Sequence, residues 1–369
     1  MTAPDLSSDA LARSIVSLGD ASRLHRVLDK ARRGEPIVVG FIGGSITQGA
    51  CASTPADQYC NRVVEMLRER LTPASITLVN AGRGATGSNY GSLRAQRDLL
   101  IQSPDLVVLE FAVNDGVDAI FGETFEGLLR QVLASPAQPA ALMLFMMHRG
   151  GRNAQDRLGA VGRHYGVPMT SYRDALWPEI EAGRLTWEDI SPDEVHPNDL
   201  GHAIAARCVV ELFDRVAAQS RATSIAPLPT PLHSDAFEHT HLHEATSLVP
   251  VSAIDWTLES HGDPWPYWSA TTPGSVIEFE VEGTTILLMY YRRNAPLGRA
   301  MASVDGGPAV TLDAWFEQTW GGYRETTILA RNLAPGRHRV TVRVTSDRNA
   351  GSTGDEFRIL GLGTAGVSR

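Results

Sequence analysis

Four side chains of the 369-residue chain carry the functional groups of acyl transfer: the hydroxyl of Ser45, the imidazole of His196, the carboxylate of Asp193 and the carboxamide of Asn114. Ser45 stands in Gly43-Gly44-Ser45-Ile46-Thr47-Gln48-Gly49, directly after the apolar run 37–42, which Pro36 and the glycine pair bound. A short apolar run between such breakers reads as a buried strand. In an open α/β sheet, ligands bind outside the carboxyl ends of the strands. A small hydroxyl presented there among unobstructed backbone N–H groups suits a nucleophile. Taken alone, the stretch reads equally well as an ordinary Ser in a tight strand-to-helix turn. Asp193-Glu194-Val195-His196-Pro197 adds a base. Three residues apart in a turn, a carboxylate and an imidazole can face each other, with Asp193 fixing the tautomer and orientation of His196. Asn114, after the apolar run 106–112, can offer a side-chain N–H to a developing oxyanion. Each has a plain structural rival: a helix-start Asp, a surface His, a turn Asn beside Asp115 and Gly116.

The elements that would hold these groups follow from periodicity. Residues 20–33 read as a helix, with Asp20 as N-cap and Gly34 near its end. A helix at 56–71 follows the Ser45 turn. Strand 76–80 leads into the Gly-rich segment 82–91 and a helix to about residue 102. Strand 106–112, a helix near 124–134, and strands at 142–147 and 168–171 come next. The helix 198–217 places Ile204, Cys208 and Leu212 on one face. Strands alternating with helices predict a parallel sheet covered on both faces. Residues 221–250, with Pro227, Pro229, Pro231 and Pro250 and no sustained period, read as a connector. Beyond it the period is two: Ile277, Phe279 and Val281 alternate with Val276, Glu278 and Glu280, and Val340, Val342 and Val344 with Arg339, Thr341 and Arg343. Asp305-Gly306-Gly307 marks a hairpin, and several such strands predict a β-sandwich.

Composition narrows the function. A formal charge of −9 with no basic stretch argues against a nucleic-acid partner. Residues 1–30 hold no apolar signal-type core and no run is long enough to span a bilayer, so no membrane partner and a cytoplasmic address are expected. Cys51, Cys60 and Cys208 are too few and too scattered for a disulfide framework or zinc site. Cys60 shares a helical stripe with Val63, Val64, Leu67 and Leu71. Gly82-Arg-Gly-Ala-Thr-Gly87 fits a dinucleotide fingerprint, but the acidic residue that should close the next strand is missing: Gln102 lies there, and Asp105 opens a strand instead. His239-x-His241-x-His243 lies in the connector without a fixed partner, so no metal is expected. His148, after the fourth strand, either lines the site or faces solvent. Five of the seven Trp fall in the last third, and Trp265, Tyr267 and Trp268 are too closely spaced for all to be core. Exposed aromatics stack on sugar faces; a Trp-bearing sandwich core is the rival reading.

Taken together, the Ser45 block, Asn80-Ala-Gly, Val113-Asn114-Asp115 and Asp193-x-x-His196-Pro197 resemble the SGNH (GDSL-like) hydrolases in order and spacing, over about residues 36–215. The resemblance implies a three-layer α/β/α, flavodoxin-like hydrolase domain at 1–220. A connector at 221–250 and an all-β, jelly-roll-like sandwich at 251–369 follow. It implies Ser45 as nucleophile, His196 as base, Asp193 as its orienter, and an oxyanion hole from Ser45, Ala85 or Gly84, and Asn114. Three departures stand out. Gly44 occupies the place of an Asp in many members, Ala112 replaces a Gly, and the family's oxyanion Gly aligns best with Ala85. The expected activity is hydrolysis of short acyl esters, acetyl above all, on a small-molecule or oligosaccharide substrate, with no cofactor. His148, Trp265 and Trp268 are expected to touch that substrate. A short-chain lipid or aryl esterase and a catalytically silent carbohydrate-binding protein are the alternatives.

Overall fold

In the computed structural model, which describes residues 6–221, 224–262 and 264–366, the apolar run after Pro36 becomes an interior strand of a six-stranded sheet. The strands of this sheet are β1 (Ile15–Ser17), β2 (Ile37–Gly43), β3 (Ile76–Gly82), β4 (Leu106–Glu110), β5 (Ala140–Phe145) and β6 (Met169–Ser171). Their order is β1-β6-β5-β4-β2-β3; β1 runs antiparallel at the edge and the other five are parallel. The helices are α1 (Ser8–Ser14), α2 (Ser22–Arg32), α3 (Ser45–Gln48), α4 (Tyr59–Arg70), α5 (Ser88–Asp98), α6 (Ile120–Ala134), α7 (Gln155–His164), α8 (Tyr172–Glu181), α9 (Trp187–Ile190) and α10 (Asp199–Ala217).

Alternation along the parallel strands builds two cores, one on each face. Val39, Phe41, Leu106, Val108, Leu142 and Leu144 face one way, against Leu24, Val63, Leu67, Cys208 and Leu212. Ile42, Val107, Leu109, Met143 and Phe145 face the other, against Leu99, Phe125, Leu129 and Leu158. The arrangement is an α/β/α sandwich whose strand order reverses between β2 and β4. Such a reversal opens a crevice at the carboxyl ends of the two strands. In register, Gly43 at the end of β2 lies beside Gly82 of β3 and Glu110 of β4, so three strands deliver their following loops to one place.

A shortened strand and two unforeseen helices depart from the sequence expectation. The strand expected at 106–112 ends at Glu110, because Asn114 and Asp115 already donate their N–H groups to the Phe111 carbonyl in a turn. α7 and α8 fill the stretch between β5 and α9, where sequence periodicity gave no helix: α7 contains Gly159 and Gly162, and α8 contains Pro178. Gly162 is required by packing, since a Cβ there would lie 2.3 Å from Met169 Sδ.

The chain divides into two compact units, Met1–Ser234 and Asp235–Arg369. Residues 229–234 are fastened to the first unit. Arg130 donates to the Pro229 carbonyl, and the Glu126 carboxylate accepts the N–H groups of Leu232, His233 and Ser234. The second unit has strands β7 (Thr240–Glu244), β8 (Ser252–Ile254), β9 (Thr257–Glu259), β10 (Tyr267–Ala270), β11 (Val276–Glu282), β12 (Thr285–Arg293), β13 (Arg299–Val304), β14 (Val310–Asp313), β15 (Gly322–Ala330), β16 (Arg337–Val344) and β17 (Phe357–Ala365). They form two antiparallel sheets, β15-β12-β17-β10-β9 with β7 also on β17, and β14-β13-β16-β11-β8. Ile277, Phe279, Val281, Val340, Val342 and Val344 are all buried, as period-two strands of a sandwich require. The hairpin between β13 and β14 turns at Asp305 and Gly306, both left-handed (φ 52° and 69°), the geometry of a type I′ turn. Among the described residues, no helix is long and apolar enough to cross a membrane.

Candidate active site

Ser45 is the first residue of α3, a single helical turn that starts as β2 ends. Gly49 closes that turn with φ 104°, and a Cβ there would collide with Gln58, so the glycine is needed. At the other end of the chain's first unit, α9 carries a capping box from Thr186 and Asp189, and Asn198 caps α10 through the Gly201 N–H. The loop between them is thereby held at both ends. The Ser191 hydroxyl and the Trp187 indole N–H fix it further by donating to the Asp193 carbonyl; the Ser191 hydroxyl also lies 2.6 Å from the His196 carbonyl.

On these supports Ser45, His196 and Asp193 form one hydrogen-bonded line. Ser45 Oγ is 2.9 Å from His196 Nε2, and His196 Nδ1 is 2.7 Å from Asp193 Oδ2. The other Asp193 oxygen accepts the N–H groups of Val195 and His196 at 2.8 and 2.7 Å. Partial burial would raise the Asp193 carboxyl, but those two N–H groups and the imidazole outweigh it and hold the carboxyl below its usual range. An ionised carboxylate on Nδ1 leaves Nε2 as the acceptor for the Ser45 proton.

The oxyanion candidates lie on the two neighbouring loops. Gly84 donates its N–H to Gln48 Oε1 at 2.7 Å, so that donor is already engaged. Ala85 is left-handed, φ 53°, a conformation that costs a non-glycine residue roughly 1–2 kcal/mol. Asn114 follows β4. Its Oδ1 is buried without a partner, and among the described residues nothing hydrogen-bonds to its side chain. Asn80 braces the arrangement: its Nδ2 donates to the Thr47 carbonyl and its Oδ1 accepts the Gly82 N–H.

His148 does not stand free in a loop. Its Nε2–H donates to the Val113 carbonyl at 2.8 Å, tying the loop after β5 to the turn that carries Asn114. Trp265 and Trp268 belong to the second unit. Trp268 on β10 donates its indole N–H to the Ala245 carbonyl and meets Phe279 edge-on; Trp265 meets Tyr291 edge-on and lies under the Arg324 guanidinium. Both are half-buried.

Beneath the Ser45 turn lies a buried polar layer that the sequence reading missed. Arg94, fully buried, donates to the carbonyls of Gly43 and Ala81, the ends of β2 and β3; burial pulls its guanidinium down to about 10. Glu110, also fully buried, accepts the Thr47 hydroxyl at 3.3 Å, and Thr47 in turn pairs with the Tyr59 hydroxyl. Burial pushes the Glu110 carboxyl up to about 8, against the opposing pull of Thr47 and the N–H groups of Gly44 and Ala112. Asp115 caps α5 by accepting the Ser88 N–H, and burial raises it to about 7. A carboxylate inside an otherwise apolar strand run was the available signal for Glu110; an arginine on a helix carries none.

A family model described as GDSL-like lipase/acylhydrolase matches residues 41–204. Among solved structures, the chain is similar to CEX, a two-domain esterase active on acetylated mannans, at 33% identity and TM-score 0.90 over 97% of this chain and 99% of that one. It is equally similar to that esterase co-crystallised with mannopentaose, at 33% identity and TM-score 0.89 over 97% and 98%. An acetyl xylan esterase, AlAXEase, is 21% identical with TM-score 0.40, over 47% of this chain and 98% of that one. No curated protein sequence matches the chain.

Proposed function

The chain belongs to the GDSL-like lipase/acylhydrolase family, and on that premise we propose that it is a serine esterase removing acetyl groups from mannan-type oligosaccharides. The Ser45–His196–Asp193 hydrogen-bonded line at the β2/β4 crevice supports the chemistry. Ser45 Oγ attacks the ester carbonyl as His196 Nε2 takes its proton. Asp193 holds the ring and stabilises the imidazolium. The oxyanion rests on the N–H groups of Ser45 and Ala85 and on the Asn114 carboxamide, with Gly84 kept in place by Gln48. His196 returns the proton to the departing sugar hydroxyl. It then activates the water that frees acetate from Ser45.

The single observation behind the substrate assignment is likeness along both units, at 33% identity, to an esterase active on acetylated mannans. The half-buried aromatics Trp265 and Trp268 of the second unit are assigned to sugar contact because aromatic faces stack on sugar rings. The expected cytoplasmic address is kept as part of this proposal; three free thiols are compatible with it. The test is a panel of acetylated mannooligosaccharides, acetylated xylooligosaccharides and 4-nitrophenyl esters of rising acyl length. The highest kcat/KM is expected on acetylated mannooligosaccharides, with rates on aryl esters falling as the acyl chain lengthens. A preference for octanoate over acetate would move the protein to the lipid esterases.

A further inference from the structure

Cys51 is exposed in the loop between α3 and α4, with a left-handed backbone, φ 65°. Its Sγ, a carboxylate oxygen of Asp193 and a ring nitrogen of His196 all lie within 4.8 Å of one another. Among the described residues this is the one group of three such side chains so placed. We propose that Cys51, Asp193 and His196 form a binding site for a thiophilic divalent cation of the Zn²⁺ type, and that the bound cation switches the esterase off. The switching half rests on the catalytic reading of His196 given above.

The donor set decides the class of cation. Thiolate, imidazole and carboxylate are the ordinary ligands of zinc, which takes three protein groups and leaves its fourth position to water. A thiolate selects against Mg²⁺ and Ca²⁺, which prefer all-oxygen shells. With metal–ligand distances of about 2.0–2.3 Å, a tetrahedral centre needs its donors roughly 3.3–3.7 Å apart. The Nδ1–Oδ2 pair, now 2.7 Å apart, therefore opens by about half an ångström, while Sγ, within 4.8 Å of the other two donors, moves in by up to about an ångström.

Inhibition follows from which lone pairs the cation takes. His196 Nδ1 faces Asp193 Oδ2 at 2.7 Å, so a cation shared by the two enters that hydrogen bond. The ring's single proton then moves from Nδ1 to Nε2, the atom 2.9 Å from Ser45 Oγ. An Nε2 that carries a proton cannot accept the one from Ser45. The Cys51 proton is released to solvent as the thiolate binds, and no oxidant or reductant is involved. Oxidative control through the same thiol is disfavoured. Burial, and then the neighbouring Asp193 charge, raise the Cys51 thiol, the opposite of what a redox-sensing thiolate needs. A cation supplies its own drive for deprotonation.

Calorimetric titration of zinc chloride into the full chain, in two buffers of different ionisation enthalpy, reads binding without reference to catalysis. Hydrolysis of 4-nitrophenyl acetate over the same zinc range reads inhibition. The wild type should bind zinc with release of about one proton and lose turnover in parallel, with no such response to Mg²⁺. Cys51→Ser and Cys51→Ala should keep basal turnover. Both should bind zinc, and be inhibited by it, at least about tenfold more weakly, since even groups that only orient a ligand are worth roughly 10–100-fold in affinity. Zinc affinity and inhibition unchanged in both variants would overturn the proposal, as would Cys51-dependent binding that leaves turnover intact. Failure of the catalytic reading would show differently, as full activity in Ser45→Ala while the Cys51-dependent heat persists.

Discussion

Gly44→Ala tests the geometry around the nucleophile more sharply than removal of any catalytic side chain. An ideal Cβ on Gly44 would stand 2.0 Å from Asn114 Oδ1, 2.8 Å from its Cγ and 3.2 Å from its Nδ2. Gly44 has φ −86°, outside the left-handed region, and the three atoms nearest that Cβ all belong to Asn114. The Asn114 carboxamide has no hydrogen bond to hold it and rotates aside, removing one oxyanion donor while the backbone stays. Loss of one such donor costs about 10²–10³ in kcat, or roughly 2.7–4 kcal/mol. Gly44→Ala should therefore fall by that factor on 4-nitrophenyl acetate, with Ser45 still labelled by a fluorophosphonate and thermal stability little changed. Asn114→Ala should fall by a similar factor. In the Asn114→Ala background, Gly44→Ala should cost less than about tenfold further, because the group it displaces is already gone. If the two losses multiply, Gly44 acts on something other than Asn114 and the reasoning fails.

Other outcomes follow from the buried layer and the loops. Arg94→Met removes two charge-assisted hydrogen bonds, to the Gly43 and Ala81 carbonyls, although the Arg83 N–H still reaches Gly43; at about 1.5–3 kcal/mol each their loss should lower the denaturant midpoint markedly, and an unchanged midpoint contradicts the role given to Arg94. Native Glu110 keeps its proton to about pH 8, whereas its ordinary value is 4.5, so across that window the folded state holds the extra proton and stability falls as pH rises. Glu110→Gln removes this component, and its melting temperature relative to wild type should climb between about pH 5 and about pH 9; a constant difference argues that Glu110 is ionised throughout. Asp193→Asn should retain more activity than His196→Ala, since it misorients the base without removing it, and the reverse ranking would exchange their roles. Trp265→Ala should lower kcat/KM on an acetylated oligosaccharide and spare 4-nitrophenyl acetate; equal losses on both would confine Trp265 to packing.

The parallel sheet was legible because its strands are short apolar runs bounded by Pro36, Gly43 and Asn114, and the sandwich because Ile277–Phe279–Val281 keeps period two. The Ser45, Asn114 and Asp193-x-x-His196 blocks were legible because each occupies a strand end or a capped turn. The layer beneath them was not. Arg94 lies on a helix, where an arginine carries no mark of burial, and its burial appears only once the ends of β2 and β3 close over it. The engagement of Gly84 by Gln48 likewise depends on a side chain from the neighbouring loop, which spacing does not report. Cys51 meets Asp193 and His196 only through the fold, so cysteine spacing in the sequence carried no trace of that triangle.

The central claim is that an acetyl group passes from a sugar oxygen to Ser45 Oγ and then to water. The direct measurement follows acetate release from acetylated mannooligosaccharide by wild type and by Ser45→Ala, with peptide mass mapping of enzyme quenched during turnover. The account predicts acetate from the wild type, essentially none from a folded Ser45→Ala, and an acetyl adduct on the peptide containing Ser45. Comparable acetate release from Ser45→Ala, or an adduct confined to another residue, would contradict it.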